Sequence, residues 1–439
     1  MRVLFNIISF VLLVFALIAW VLLPWVGALV LALLLALWLG LTRAGGRTRS
    51  VAAVGLSTLP QRLGSAAVII VGIAGVVGVL VALLAMGEGY RQALTGSGSE
   101  DTAIILRGGS ANEVSSVLSR DNIVQILQTA GIAHDAKGEP VASAELVVAA
   151  NLPVRGGNAD DVGSVQLRGV GAQAFAVRPK LKLVAGRQFT PGLRELMVGT
   201  GAQRQFVGLD VGKDVRLGSQ IWKVVGVFST GDAFDSELWA DANSVADAYR
   251  RGSSRTTVIA KLSSPAALDG ELKKALADNP QLAVDASSTL DFYAKQSEGV
   301  VKALRYIGIT VGVIMGIGAL FGALNTMFAA VAARAREIAT LRAIGFAGTP
   351  VVIAVMLETL FLALLGGVLG GLIAWALFDG FSASTMAAGS VGKLSFSLRV
   401  TPQLLWEGIK WALAIGLIGG LYPALRAARL PVTTALREM

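Results

Sequence analysis

Ala333-Arg334-Ala335-Arg336-Glu337-Ile338-Ala339-Thr340-Leu341-Arg342-Ala343-Ile344-Gly345 is followed by a Gly348-Thr349-Pro350 turn and an apolar stretch running from Val351 past Gly367, with Glu358 inside it. The first part is basic and built of good helix formers, and the second is long enough to cross a bilayer. Together they read as a short amphipathic helix pinned at the inner face of a membrane, where a cytosolic partner can push on it.

The rest of the chain agrees with a membrane protein. Of its 439 residues 54% are hydrophobic and only 15% charged, far from the balance of a soluble globular chain. A bilayer core needs roughly 20 mostly apolar residues per helix. Val3–Leu23 and Trp25–Leu41, separated by Pro24 and free of charge, read as a hairpin of two spans rather than a cleaved leader. Ser65–Ala85, Ile307–Ala333, Val351–Phe378 and Leu404–Leu425 supply four more.

Basic residues stay on the cytosolic side of such spans. The flanks carry Arg2; Arg43, Arg47, Arg49 and Arg62; Arg334, Arg336 and Arg342; and Arg426, Arg429 and Arg437, opposed only by Glu337 and Glu438. That excess accounts for the whole formal charge of +9, so the remainder of the chain is neutral. The charge is a topology signal that places both termini in the cytosol, and nucleic-acid binding loses its support. The absence of Cys excludes a disulfide framework or thiolate metal site, and the lone His134, in a polar loop, is assigned no role.

The expected domain order is a hairpin at 1–42, a basic amphipathic cytosolic linker at 43–64, a span at 65–85, and an extracytoplasmic stalk and core domain at 86–306. A span at 307–333, the cytosolic helix at 334–349, a span at 350–378, an outer loop at 379–403, a span at 404–425 and a cytosolic tail at 426–439 complete it. Within the outer segment, Ala103–Leu106, Glu145–Ala149, Ser164–Val170, Leu196–Val198, Val215–Leu217, Ile221–Phe228 and Thr256–Leu262 read as strands, with Gly218-Ser219 as a hairpin turn. Asn122–Thr129, Ser244–Arg251 and Ala266–Ala277 read as helices, which makes the domain α+β. Met86–Leu94 and Ser287–Arg305 read as helices that carry the neighbouring spans outward as a stalk. The loop at 379–403, rich in Ser, Gly and Ala, reads as a lid or linker.

Inside the spans, Gly308, Gly312, Gly316 and Gly322, and Gly366 and Gly370 with Gly367 and Gly371, form small-residue faces that let helices approach closely, within this chain or in a dimer. Glu358 is either a structural partner of Arg342 and the basic helix or part of an ion or proton relay. Asn325 is a candidate for an interhelical hydrogen bond. There is no phosphate-binding GxxxxGK[ST] loop, GxSxG elbow or HExxH helix, and the acidic residues of the outer domain, such as Asp160, Asp161 and Glu195, read as solvated surface. No catalytic residue or metal ligand is expected.

These segments, in this order, resemble the permeases of the MacB/FtsX-type ABC transporter family. Arg336–Gly345 is similar to the family's R-E-I-G-x-L-R-A-I-G coupling helix, departing at Ala339 where Gly is common. Leu357-Glu358 with Gly366-Gly367 and Gly370-Gly371 is similar to its next span, Arg429–Arg437 to its closing signature, and Gly87-Glu88-Gly89 to the outer end of its first span. Leu167–Val170, Ala185–Phe189 and Trp222–Phe228 resemble its periplasmic core domain. The hairpin at Val3–Leu41 lies outside the family's core of four spans.

The resemblance implies a bundle of four core helices plus the N-terminal hairpin, with an α+β periplasmic domain on a helical stalk, in the bacterial inner membrane. It implies a non-catalytic permease subunit whose ATP and Mg are bound by a separate cytosolic ATPase dimer, with a second permease copy or related chain, and with a periplasmic adaptor and outer-membrane channel as further candidates. The residues implied to couple to the ATPase are Arg334, Arg336, Glu337, Leu341, Arg342, Ile344 and Gly345. Three activities compete: export or efflux by mechanotransmission, extraction of a lipoprotein or lipid through an apolar groove between the Ser65 and Ile307 spans, and a non-transporting regulator of a cell-wall hydrolase.

Overall fold

A computed structural model describes residues 19–20, 23–57, 59–158, 161–343, 347–386 and 392–429. The chain divides into two units, one formed by Met1–Ala85, Leu304–Asp379 and Arg399–Met439, the other by Met86–Ala303 and Gly380–Leu398.

The first unit is helical. Its elements are α1 (Trp25–Leu41), α2 (Arg43–Ser57), α3 (Leu63–Gly96), α4 (Thr289–Ala333), α5 (Ala335–Ala343), α6 (Gly348–Phe378) and α7 (Pro402–Arg429), of which α3 and α4 continue into the other unit. Among the described residues four helices, α3, α4, α6 and α7, are long and apolar enough to cross a membrane, and α1 with α2 makes at most a fifth, since the pair is bent by 98°. The expected first span falls almost entirely outside the described residues. The segment 43–64, expected as a basic amphipathic cytosolic linker, contains the helix α2, which buries Thr48, Val51, Ala52 and Gly55, with Val51 and Ala52 meeting Ala354 and Leu357 of α6.

Helix packing here uses small residues, as lipid offers no hydrophobic drive for association. A Cβ added at Gly366 would lie 2.9 Å from the Ile70 carbonyl oxygen of α3, and one at Gly370 would fall on the Ala74 carbonyl. On the adjacent face of α6, a Cβ at Gly367 would lie 2.8 Å from Ala412 of α7. Backbones thus meet where side chains would stand. Around these contacts Ile73, Val77, Val81, Leu362, Ala363 and Ile415 fill the core.

The second unit is built on a ten-stranded mixed sheet in the order β10-β1-β9-β2-β3-β8-β5-β7-β4, with β6 paired to β7. The strands are β1 (Thr102–Arg107), β2 (Ala142–Pro153), β3 (Val162–Val170), β4 (Lys182–Gly186), β5 (Glu195–Gly199), β6 (Asp214–Leu217), β7 (Gln220–Ser229), β8 (Glu237–Asp241), β9 (Thr257–Lys261) and β10 (Val284–Ser288). β3 with β8 and β5 with β7 are parallel; the other pairs are antiparallel. Leu167, Val198, Trp222 and Leu238 centre one apolar cluster and Ile105, Ile126, Val258 and Leu272 another. Gly218-Ser219 does join β6 to β7, with Gly218 supplying the positive φ of +59° that the tight turn needs. The expected α+β class therefore holds, while β4, β8 and β10 were not anticipated.

The loop expected as a lid or linker contains an antiparallel hairpin, β11 (Ser382–Met386) and β12 (Lys393–Ser397), that belongs to this unit. Leu394 and Phe396 are buried, Phe396 stacks edge-on against Tyr90, and the Ser395 amide donates to Ser236 Oγ at 2.9 Å. Alternating Leu394 and Phe396 bury one face, as period two requires. Gly89, in the motif noted above, allows this approach: a Cβ there would strike the Ser397 backbone.

Candidate functional site

The 45-residue α4 starts with a cap, the Asp291 amide donating to Ser288 Oγ at 3.0 Å, and at about 1.5 Å per residue is far longer than a bilayer core is thick. It ends at Ala333, and Arg334 separates it from α5. There the chain turns and four elements converge on one carboxylate. Arg334 Nη1 donates to Glu358 Oε2 at 3.0 Å, and Arg62 Nη2, from the turn Leu59–Arg62, donates to Glu358 Oε1 at 3.3 Å. Arg334 Nε also reaches Glu337 Oε2 of α5 at 3.2 Å. α2 completes the enclosure through Gly55, where a Cβ would come within 3.0 Å of Glu358 Oε2 and 3.2 Å of Arg334 Nη1.

Glu358 is 4% exposed, and both its oxygens are engaged by arginines that remain partly hydrated. A carboxylate in a low-dielectric site must be paired to stay ionised, and two guanidiniums supply that pairing. Arg62 and Arg334 are the partners that hold it. The geometry is that of a fixed ionic joint between the α4–α5 corner, the turn before α3 and the first half of α6. Arg62 entered the sequence reading only as a topology charge and Gly55 not at all, because partners nearly 300 positions apart leave no local pattern.

α5 turns Ile338 and Ala339 inward and keeps Arg336, Glu337 and Thr340 exposed, with Arg342 half-buried. Leu341 lies within α5, whereas Ile344, Gly345 and the C-terminal signature from 430 onward lie outside the described residues. Gly308 and Gly312 meet Leu83 and Leu80 of α3 at 3.4 and 3.3 Å from an added Cβ, and Gly316 meets Ile415 of α7 at 3.5 Å. Gly318 and Gly322 face open space, so the α4 glycines divide between an internal seam and an uncovered side. Asn325 is exposed on α4 and makes no hydrogen bond among the described residues; Thr326 instead donates to the Gly322 carbonyl.

The outer unit holds a second ionic cluster. Arg168 of β3, 1% exposed, donates to Glu237 of the parallel β8 (2.7 and 2.9 Å), to Glu113 (2.7 and 3.0 Å) and to Glu145 of β2 (2.9 Å). Arg178 grips Glu145 at 2.6 and 2.8 Å and lies over the rings of Phe234 and Trp239. Burial opposes the charge of Arg168, but Glu113 and Glu237 outweigh it and hold the guanidinium well above its ordinary range. Burial likewise raises Glu145, yet Arg178 and Arg168 overcome it and its carboxyl ends below the usual value; for Glu237 burial wins and the shift is upward. Glu195, expected on the surface, is buried and accepts from Arg187 (2.5 and 2.8 Å) and the Thr190 amide, with its pKa lowered to about 2, mainly by Arg187. Asp161 accepts from the Asn158 amide at 2.8 Å, and Asp160 lies outside the described residues.

Two family models match the chain: a MacB-like periplasmic core domain over residues 66–277 and an FtsX-like permease C-terminal domain over residues 309–432. The ABC transporter permease YknZ of Bacillus subtilis (strain 168) is 26% identical over 277 residues, 58% of this chain and 66% of that one. The macrolide export ATP-binding/permease protein MacB 1/2 of Paracoccus denitrificans (strain Pd 1222) is 26% identical over 401 residues, 84% of this chain and 55% of its own length. The chain thus spans between about half and two-thirds of the length of these relatives. Among solved structures, the periplasmic region of MacB from Actinobacillus actinomycetemcomitans aligns with 44% of this chain and 91% of its own, at 20% identity and a TM-score of 0.34.

Proposed function

Because the chain belongs to the MacB/FtsX-type ABC transporter permease family, we propose that it is the inner-membrane subunit of an exporter that turns ATP hydrolysis by a separate cytosolic ATPase pair into movement of its periplasmic domain. In this reading a second permease, identical or related, completes the complex, and both termini face the cytosol. The observation that carries it is the joint at Arg334. A displacement of α5 is delivered through Arg334 and Glu358 to α6 and, by chain continuity, to α4, whose far end follows directly from β10 of the outer unit. A long helix conveys displacement with little loss, so closure of the ATPases against α5 re-orients the strands to which α4 is joined. Extraction of a lipid through a groove between the first and second core spans is less well supported, since Gly308 and Gly312 bring α4 directly onto α3.

The test is ATPase stimulation by the reconstituted permease. Arg336→Glu, at an exposed position of α5, and Arg342→Glu reverse the charge of the docking face and should abolish both stimulation and co-purification of the ATPase while the permease stays monodisperse. Normal stimulation by both variants would refute the assignment.

A further inference from the structure

Within the outer unit, a cavity of about 160 Å³ is bounded by the segment Gly96–Thr102, by Thr289 and Tyr293 at the start of α4, by Ala176–Lys180, and by Ile259 and Lys261 of β9. None of the chemistry described above uses it. Its body is apolar, formed by Val177, Ile259 and Phe234, and an apolar void of about 150 Å³ is large enough to take up a benzene-sized group. Its polar side is basic. Lys180 Nζ spends one donor on the Gly96 carbonyl at 3.2 Å and keeps two, while Lys261 makes no ion pair among the described residues. Arg178, in the same wall, is already neutralised by Glu145, and Asp101 is the one carboxylate among the described residues of the lining, so the two lysines leave an excess of one positive charge. The hydroxyl of Tyr293, in the same wall, is buried with no hydrogen-bond partner among the described residues, an unusual state for a buried polar group.

We propose that this cavity is a binding site for a compact organic anion, with a carboxylate or similar group between Lys180 and Lys261 and an apolar body of about benzene size against Val177, Ile259 and Phe234. A cation is disfavoured by the lysines and a purely apolar molecule forgoes them. The occupant touches both places where a long helix joins the sheet, the end of α3 at Gly96 and the start of α4 at Thr289. These are already laced together: Thr102 and Thr289 hydroxyls meet at 2.5 Å, and the Ser99 amide donates to Thr289 Oγ1 at 2.9 Å. The site rests on the outer unit's own geometry and stands or falls independently of ATPase coupling.

The experiment uses the full chain in nanodiscs, with 4-fluorobenzoate followed by fluorine NMR and empty nanodiscs as the blank. The expected result is saturable binding with a Kd on the order of 1 mM, which suits so small a ligand. Binding should weaken at least tenfold in Lys180→Glu/Lys261→Glu and disappear in Ala176→Trp, which fills the cavity from an exposed position, and both variants should melt like the parent. Displacement by benzoate or by hexanoate supports the site and tells an aryl from an acyl body. Equal binding of neutral 4-fluorobenzyl alcohol, parental affinity in either variant, or no saturable binding would overturn the proposal.

Discussion

Replacing Arg168 with methionine should destabilise the outer unit more than any surface change. The substitution keeps an unbranched side chain but removes a guanidinium that makes five hydrogen bonds to three carboxylates. Glu145 retains Arg178 at 2.6 Å, so the carboxylates left without a counter-charge are Glu113 and Glu237. Removing one partner of a buried ion pair costs about 3–5 kcal/mol. For a domain of this size each kcal/mol lowers the melting temperature by about 2–4 °C, so a fall of roughly 6–20 °C is expected. The loss should also depend on pH. Glu237, which burial already raises despite Arg168, is raised further once Arg168 is gone, so its contribution is intact below its unfolded value of about 4.3 and is lost as the pH rises through the raised one. The deficit of the variant is therefore largest at neutral and alkaline pH and shrinks toward pH 5. Calorimetric melting of the full chain in nanodiscs at pH 5 and 8, with hydrogen exchange resolved at β3 and β8, measures it. A fall under about 2 °C, or a deficit equal at both pH values, would show that the cluster is solvated and the reasoning wrong.

Gly370→Ala puts a Cβ on the Ala74 carbonyl and should force α6 off α3, at about 1–3 kcal/mol, read as earlier loss of monodispersity on heating. Gly322→Ala points into open space and should leave that readout unchanged. Gly55→Val drives a side chain against Glu358 and Arg334 and should reduce ATPase stimulation, whereas Gly46→Ala on the same helix, with nothing within 4 Å, should not. The pKa of Glu195, held at about 2, means that its ion pair stabilises the fold above its ordinary value of 4.5 and that this stabilisation is lost as the pH falls through about 2. The difference in melting between the parent and Glu195→Gln should be present at pH 7 and vanish at the acid end.

The strands at Ser164–Val170 and Ile221–Phe228 were legible because apolar, largely β-branched and aromatic residues recur there with a single charge in each, Arg168 and Lys223, and Gly218-Ser219 announced its own turn. β8 was not legible. Its five residues are all buried, yet they begin with Glu237 and end with Asp241, which reads as surface until Arg168 is brought alongside from the parallel neighbour and Asp241 Oδ2 caps the next helix by accepting from the Ser244 amide. β10, Val284-Asp285-Ala286-Ser287-Ser288, has little strand propensity and exists because β1 offers it an edge. Glu195 misled for the same reason as Glu237, since a carboxylate's environment is set by a partner that the local pattern does not name.

What the sequence alone determined is whatever depends on local composition: the long apolar helices, the basic flanks, an α+β insertion between the spans expected at 65–85 and 307–333, and a short helix within 334–349. Hydrophobic length and charge placement act residue by residue against lipid and water, so no fold is needed to read them. What only the tertiary structure decided is who pairs with whom: Glu358 with Arg62 and Arg334, Arg168 with three glutamates, Gly366 and Gly370 with the α3 backbone, and the 382–397 hairpin with the outer unit. Ion pairs and close backbone contacts act over a few ångströms between residues far apart in the chain, and their strength follows from burial, which exists only once the chain has folded.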